Sequence, residues 1–566
     1  MKKRYDRLMR TAAAAVSVIL TAVMLGSCGN DGSDSKGGGP YRSDVGTQQE
    51  NITGNNRYDM NTNDGMAEND NKTAEDFYDA EFDAPEMNDG LYAEEYNKII
   101  ENEFKSVAEY PLSTFSTDVD TASFTNVRRM IDNREEINPD AVRTEEFINY
   151  FKYSYPQPEN GDRISITTEL SDCPWNEDSK LMLVGLQAEE IETRDIDSNI
   201  VFLIDVSGSM SAYDKLPLVQ QAFSMLAGNL NEGDTVSIVT YAGSDEVVLE
   251  GTSGAKSDYI CECLNSLTAG GATAGADGIN TAYDIAERYF IEGGNNRVIL
   301  ATDGDLNVGV SSEEGLTELI EEKRDNGIFL SVLGFGTGNY KDNKLEALAD
   351  NGNGNYAYID SVDEAERVLV TEMSGTLYTV AKDTKVQVEF NPANVAYYKL
   401  VGYENRLLDD EDFEDDTKDA GDVGSGQQVT ALYEIITADG AKLGGSGKTL
   451  KYQSDVSYPV SENQSAEGLE GELLTVSVRY KEADEDESRL IDKAVTLDSY
   501  VSSEKMGDNM RLAAGAAEFA MTLRNSSAEK PFTMQQIRDT VTGIAPDANE
   551  LLSMISDYEI YYGNNG

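Results

Sequence analysis

The sequence predicts an α/β protein: a doubly wound, mostly parallel sheet in the middle of the chain, with an α+β region before it and a β-rich region after it. Three observations predict this. Between Asn199 and about Ala381, short β-branched strands alternate with amphipathic helices, the order that builds a parallel sheet covered on both faces. The strands, NIVFLIDV and RVILATDG among them, are apolar at successive positions, as burial on both faces requires. Two of them run into an aspartate, Asp205 and Asp303, and ligands of open parallel sheets gather at the carboxyl ends of strands.

Composition bounds the rest. A chain of 566 residues exceeds one ordinary core, so two to four domains are expected. The net charge of −59, from 45 basic and 104 acidic residues, argues against nucleic acid, which needs clustered Lys and Arg. Histidine is absent, which removes Ser-His-Asp and Cys-His catalysis and His-ligated zinc. The four cysteines are Cys28, Cys173, Cys261 and Cys263, and no disulfide framework can be read from them.

The elements follow in chain order. MKKRYDRLMR is a basic leader, then come 17 apolar or small residues, 11–27, whose last three form the tetrapeptide Leu25-Gly26-Ser27-Cys28 with the cysteine that follows. This resembles a bacterial lipoprotein signal, residues 1–27. The resemblance implies cleavage before Cys28, acylation of that cysteine, and a body held at the extracytoplasmic face of the cell membrane. Residues 28–90 are rich in Gly, Asn, Asp, Ser and Glu without apolar periodicity, and read as a disordered acidic tether. In 91–195, helices are expected in LYAEEYNKIIENEF, SFTNVRRMIDN and AVRTEEFINYF, and strands in ISITTELSD and KLMLVGLQA. The central region, 196–381, holds strands in NIVFLIDV, DTVSIVTYA, EVVLE, RVILATDG, IFLSVLGFG and YAYID. Its helices include TELIEEKRDNG, stopped by Gly327, and a long closing helix over VDEAERVLVTEMSGTLYTVA. Residues 382–485 read as β-rich, and 486–566 as a helical C-terminal region.

The chemistry concentrates in three segments of the central region. DVSGSM places Asp205, Ser207 and Ser209 on the loop after its first strand. LTAGGATAG carries Thr273 in a Gly-rich loop, and ATDGD brings Asp303 to the same sheet edge. Three hydroxyls and two carboxylates form a hard, all-oxygen donor set that suits Mg²⁺, or else Mn²⁺ or Ca²⁺. With few charged ligands the cation stays electrophilic. These segments resemble the metal-ion-dependent adhesion site of von Willebrand factor type A domains. The resemblance implies Ser207, Ser209 and Thr273 as direct ligands, Asp205 and Asp303 coordinating or bridging through water, and a partner's carboxylate completing the shell. Further stretches, including PLSTFSTDVDTASFTNVRRMI, CPWN and GNGNYAYID, resemble a family of bacterial von Willebrand factor A lipoproteins from about Tyr92 onward.

The expected function is therefore binding, not catalysis: a lipid-anchored protein that holds a protein partner through the partner's Asp or Glu. One alternative is an envelope scaffold whose metal is capped by a carboxylate of the same chain. Another is a metal-assisted hydrolase, for which no general base stands out. Four features are set aside. GGSGKTL, Gly444 to Leu450, lacks the first glycine of a phosphate loop, where Lys442 stands, so no nucleotide is expected. DVDTA, Asp118 to Ala122, follows STFST, a poor buried strand, so Asp120 or Thr121 is expected to cap a helix. The acidic run Asp409 to Asp416 reads as a solvated loop, and Trp175 as a core anchor beside a buried, inert Cys173.

Overall fold

The computed structural model describes residues 94–191, 196–271, 275–304, 313–338, 340–372, 375, 377–439, 471–482, 485, 487–526, 532–544, 546 and 548–563. All of them fall within one compact unit, Pro85–Gly566. The signal, the whole tether with Cys28, and the Gly444–Leu450 loop lie outside the described residues.

The chain opens with β1 (Lys105–Ser106), β2 (Leu112–Ser116), α1 (Ala122–Asn133), α2 (Thr144–Asn149), β3 (Ile164–Asp172) and β4 (Lys180–Ala188). Two expectations fail here. Residues 94–104 are extended, not helical. Their polar groups bond to distant segments instead: the Glu95 N–H donates to the Tyr340 carbonyl at 2.9 Å and the Ile99 N–H to Asp140 Oδ1 at 3.1 Å. The STFST stretch is a strand, nearly all buried. Neither Asp120 nor Thr121 caps α1 by its side chain. Glu146 does so from α2, its Oε2 accepting the Ser123 N–H at 2.7 Å.

The central region follows the predicted alternation. Its strands are β5 (Ser198–Asp205), β6 (Thr235–Tyr241), β7 (Asp245–Ser253), β8 (Asn295–Thr302), β9 (Ile328–Phe335) and β10 (Tyr356–Ile359), in the order β10-β9-β8-β5-β6-β7. All neighbours are parallel except β6 and β7. The helices are α3 (Leu216–Ala227), α4 (Ser257–Asn265), α5 (Gly275–Arg288), α6 (Glu313–Asp325), α7 (Asp342–Asn351) and α8 (Val362–Glu366). Gly327 ends α6 with φ +82°, a left-handed stop that glycine adopts without a Cβ penalty. The two-sided burial of the strands is explicit in β5. Ile200, Phe202 and Ile204 pack toward α3 and α4, while Val201 and Leu203 pack toward α5, α6 and α7. Phe202 stacks on Phe223 of α3 at 4.2 Å, and truncating either ring to Ala would cost about 3–5 kcal/mol.

The expected long closing helix is short. A π-helical turn, Arg367–Thr371, follows α8 and interrupts it, Gly375 and Leu377 are again helical, and Thr379 to Ala381 already belong to the next strand. The chain continues through β11 (Thr379–Phe390), β12 (Val395–Val401), β13 (Gly421–Gly424), β14 (Gln428–Thr437), β15 (Glu472–Glu482), β16 (Ser488–Thr496) and β17 (Tyr500–Val501). It closes with α9 (Asp508–Leu523), α10 (Met534–Val541) and α11 (Asn549–Tyr562). The region from 486 is therefore helical only from Asp508 onward.

The flanking regions, separate in sequence, share sheets in space. One sheet runs β1-β12-β14-β4-β3-β17, and a second runs β13-β11-β15-β16 with β2 also paired to β11. The central domain is thus inserted between β4 and β11. The KLMLVGL run explains the layering by its period of two. Met182, Val184 and Leu186 face the second sheet, while Leu181 and Leu183 face a helical layer of α1, α2, α9, α10 and α11. Trp175 sits in that helical layer, 3% exposed and edge-on to Phe532. Burial there pushes the Cys173 thiol up, so it stays protonated and unreactive.

The N-terminal region also closes the open edge of the central sheet. Asp120 Oδ1 accepts the Tyr356 N–H and Thr125 Oγ1 donates to the Tyr358 carbonyl, both at 2.8 Å, so α1 satisfies backbone groups that edge strand β10 leaves unpaired. Ion pairs, most of them buried, reinforce the contact. Arg143 pairs with Glu146, Asp342 and Glu346, and Arg128 pairs with Asp360, Glu364 and Glu550.

Candidate metal centre

The strand order reverses at β5, which pairs with β8 on one side and β6 on the other. This is the switch point of the sheet, and the crevice outside the carboxyl ends of these strands is where a ligand fits. Asp205 ends β5, and Asp303 follows the last residue of β8. The topology therefore brings the two predicted carboxylates to adjacent strand ends, both nearly fully buried at 0% and 2% exposure.

Asp205 is held from both sides. Its Oδ1 accepts the Ser207 N–H at 2.8 Å and its Oδ2 accepts from Thr302 Oγ1 at 3.3 Å. Thr302 in turn accepts the Gly304 N–H at 3.2 Å, which fixes the turn that carries Asp303. Burial pushes the Asp205 carboxyl up to about 6, against the lowering effect of the Ser207 and Thr302 bonds and with a smaller upward push from Asp303. The Tyr241 hydroxyl is buried beside this carboxylate and Thr302, and burial pushes it well above the usual phenol range.

Ser207 and Ser209 leave the strand on a short 3₁₀ turn, Gly208–Ser211. Their Oγ atoms approach to 2.9 Å, so the two hydroxyls converge on one side of the loop. Ser207 is buried and Ser209 is exposed, which leaves the outer side of the pair open to solvent among the described residues. The third segment is anchored by backbone. The Gly208 N–H donates to the Gly271 carbonyl at 3.1 Å, and the Gly270 N–H to the Val206 carbonyl at 2.8 Å. Gly271 has φ +90°. Thr273 lies outside the described residues, two positions beyond that anchor.

These residues fit a hard divalent cation. The donors are all oxygen, only two are carboxylates, and both carboxylates are pre-oriented by hydrogen bonds to neighbours. Among the described residues no group of three or more Asp, Glu or Cys side chains is arranged to hold a metal, so the fit rests on the hydroxyls. The acidic run at Asp409 to Asp416 gathers no such group. Lys385 Nζ donates to the Asp412 carbonyl at 3.0 Å, and Arg479 pairs with Asp416.

Sequence reasoning missed three residues of this site. Thr302 was legible, since it directly precedes Asp303 in ATDGD. Tyr241 ends its own strand beside β5, a placement that only the sheet order reveals. Lys215 stands in a loop with no periodicity, and its Nζ donates to Asp303 Oδ2 at 2.9 Å.

An open α/β sheet with this serine loop and these two aspartates at its switch point defines a von Willebrand factor type A domain. Residues 199–370 match the family described as von Willebrand factor type A domain. Residues 91–183 match one described as von Willebrand factor, and 375–555 one described as "Uncharacterized protein YfbK, C-terminal". The protein "Uncharacterized protein YfbK" of Escherichia coli (strain K12) is 39% identical over 452 residues, covering 78% of this chain and 76% of that one. The chain belongs to the YfbK family. Inter-alpha-trypsin inhibitor heavy chain H3 of Homo sapiens is 28% identical over 175 residues, covering 29% of this chain and 20% of its own length. Among solved structures, a von Willebrand factor type A protein from Catenulispora acidiphila shows 16% identity and a TM-score of 0.38, covering 72% of this chain and 91% of its own. BatB from Bacteroides thetaiotaomicron shows 24% identity and a TM-score of 0.27, covering 31% of this chain and 97% of its own.

Proposed function

We propose that the protein is a cation-dependent binding protein, not an enzyme. A divalent cation, Mg²⁺ or else Mn²⁺ or Ca²⁺, is held by Ser207, Ser209 and Thr273, with Asp205 and Asp303 coordinating or orienting from behind. A carboxylate from a partner protein fills the outward position. The single observation that carries this reading is the convergence of the Ser207 and Ser209 hydroxyls in front of two buried strand-end aspartates, with the outer serine open to solvent. A cation whose direct ligands are neutral hydroxyls stays electrophilic and attracts an anionic group. That open side favours an external carboxylate over one supplied by the same chain. The absence of histidine supports binding over hydrolysis. Cys28, acylated after removal of residues 1–27, holds the body at the extracytoplasmic face of the membrane.

The test is affinity capture from cell-envelope extract with wild type and Asp205→Ala, each in Mg²⁺ and in EDTA. The reading requires partners that bind wild type in Mg²⁺ alone. Equal capture under all four conditions sinks it.

A further inference from the structure

Lys215 is built into the metal centre. The residue is 8% exposed, and its Nζ sits 2.9 Å from Asp303 Oδ2. Its stem lies against Gly336, just past β9. A Cβ at Gly336 would fall 2.3 Å from both Lys215 Cγ and Cε, and the backbone there has φ +70°. Glycine at 336 thus clears the channel through which the lysine reaches the aspartate. A flexible surface lysine needs no such channel, and holding this side chain in one geometry costs rotamer entropy. Lys215 also opens α3, with its carbonyl accepting the Leu218 and Val219 N–H groups at 2.8 and 2.9 Å, so its backbone is fixed as well.

The charge count at the centre changes accordingly. Asp205 and Asp303 supply two negative charges and Lys215 returns one positive charge. A divalent cation added to that set leaves a net charge of about +1, whereas without the lysine the sum would be about zero. An ammonium so close repels the incoming cation and attracts an incoming carboxylate. We propose that Lys215 is a resident counter-cation of the metal centre. It weakens divalent-cation affinity, keeps the buried Asp303 neutralised when no cation is bound, and strengthens capture of a carboxylate once the cation is in place. This inference rests on the function proposed above and assigns its specificity for anionic over neutral ligands to one side chain.

The experiment titrates Mg²⁺ and Mn²⁺ into the full chain by calorimetry and follows melting temperature in parallel. It compares wild type with Lys215→Met, Lys215→Gln and Lys215→Arg. Removing the charge, in either the Met or the Gln variant, tightens Mg²⁺ binding by about tenfold or more, given one unit charge at close range. Both variants melt lower than wild type in EDTA and gain more on adding Mg²⁺. The Arg variant behaves like wild type. With acetate as the carboxylate probe, added acetate tightens Mn²⁺ binding to wild type and loses this effect in the Met and Gln variants. Unchanged or weaker Mg²⁺ binding in those two variants, or an acetate effect equal to that of wild type, overturns the assignment of Lys215. A wild-type chain that binds neither cation overturns both readings, and that outcome is distinguished by the wild-type titration alone.

Discussion

The Gly208 N–H and the Gly271 carbonyl lie 3.1 Å apart, and together with the bond from the Gly270 N–H to the Val206 carbonyl this contact joins the serine loop of the metal centre to the loop that carries Thr273. The two segments are more than sixty residues apart in the chain. A Cβ on Gly208 would meet the Gly271 carbonyl at 3.3 Å, a tight contact that glycine avoids, whereas a Cβ on Gly271 would meet Ala242 at 3.5 Å instead.

Gly271→Ala tests the turn. At φ +90° an alanine is strained, at a cost of about 1 kcal/mol. The variant should fold with a slightly lower melting temperature and bind Mn²⁺ several-fold more weakly in a calorimetric titration. Unchanged affinity would mean that this anchor does not position the third ligand.

Thr302→Val removes the hydroxyl that donates to Asp205 and accepts from Gly304. Groups that orient metal ligands typically contribute about 10- to 100-fold in affinity. Mn²⁺ affinity should fall by that order while the fold survives, as checked by circular dichroism.

Arg143→Met tests the tie between the N-terminal region and the central domain. Arg143 is buried against Glu146, Asp342 and Glu346. Removing one partner of a buried ionic cluster costs about 3–5 kcal/mol. Urea denaturation should show a loss of that order. A loss below about 1 kcal/mol, the value typical of exposed pairs, would count against a buried tie.

Glu518 gives a pH signature. It lies in α9 at 2% exposure, and burial pushes its carboxyl up from about 4.5 to about 7, slightly opposed by the hydrogen bond from Thr540. A carboxyl raised in the folded state is favoured protonated. Its contribution is intact below the unfolded value and is lost as pH rises from about 4.5 to about 7. Glu518→Gln removes this loss. Its gain in unfolding free energy over wild type should grow from about 1 kcal/mol near pH 5.5 to about 3 kcal/mol near pH 8.5. A gain independent of pH would contradict the burial of an ionisable group there.

Much of this was legible in the sequence, and the misses have physical causes. The central strands and helices could be read because each carries its own period, and Asp205 and Asp303 because they end apolar runs. The helix expected over residues 91–104 fails in its described part, 94–104, because Tyr96 and Ile99 have helical spacing but no helix partner. Tyr96 instead receives a bond from Asn126 at 2.9 Å, and Ile100 is 76% exposed. The shared sheets could not be seen, since pairing β14 with β4 joins residues some two hundred and fifty positions apart and leaves no local trace. Lys215 was invisible for the same reason: its partner Asp303 is met only through the fold.

The most direct test is an anomalous-difference map from crystals of the full chain grown with Mn²⁺. The account predicts one peak in front of β5 and β8, within coordination reach of Ser207, Ser209 and Thr273 and beside Asp205 and Asp303. It predicts no peak in crystals of Asp205→Ala. A wild-type map empty at that place, or a peak there that survives the substitution unchanged, contradicts it.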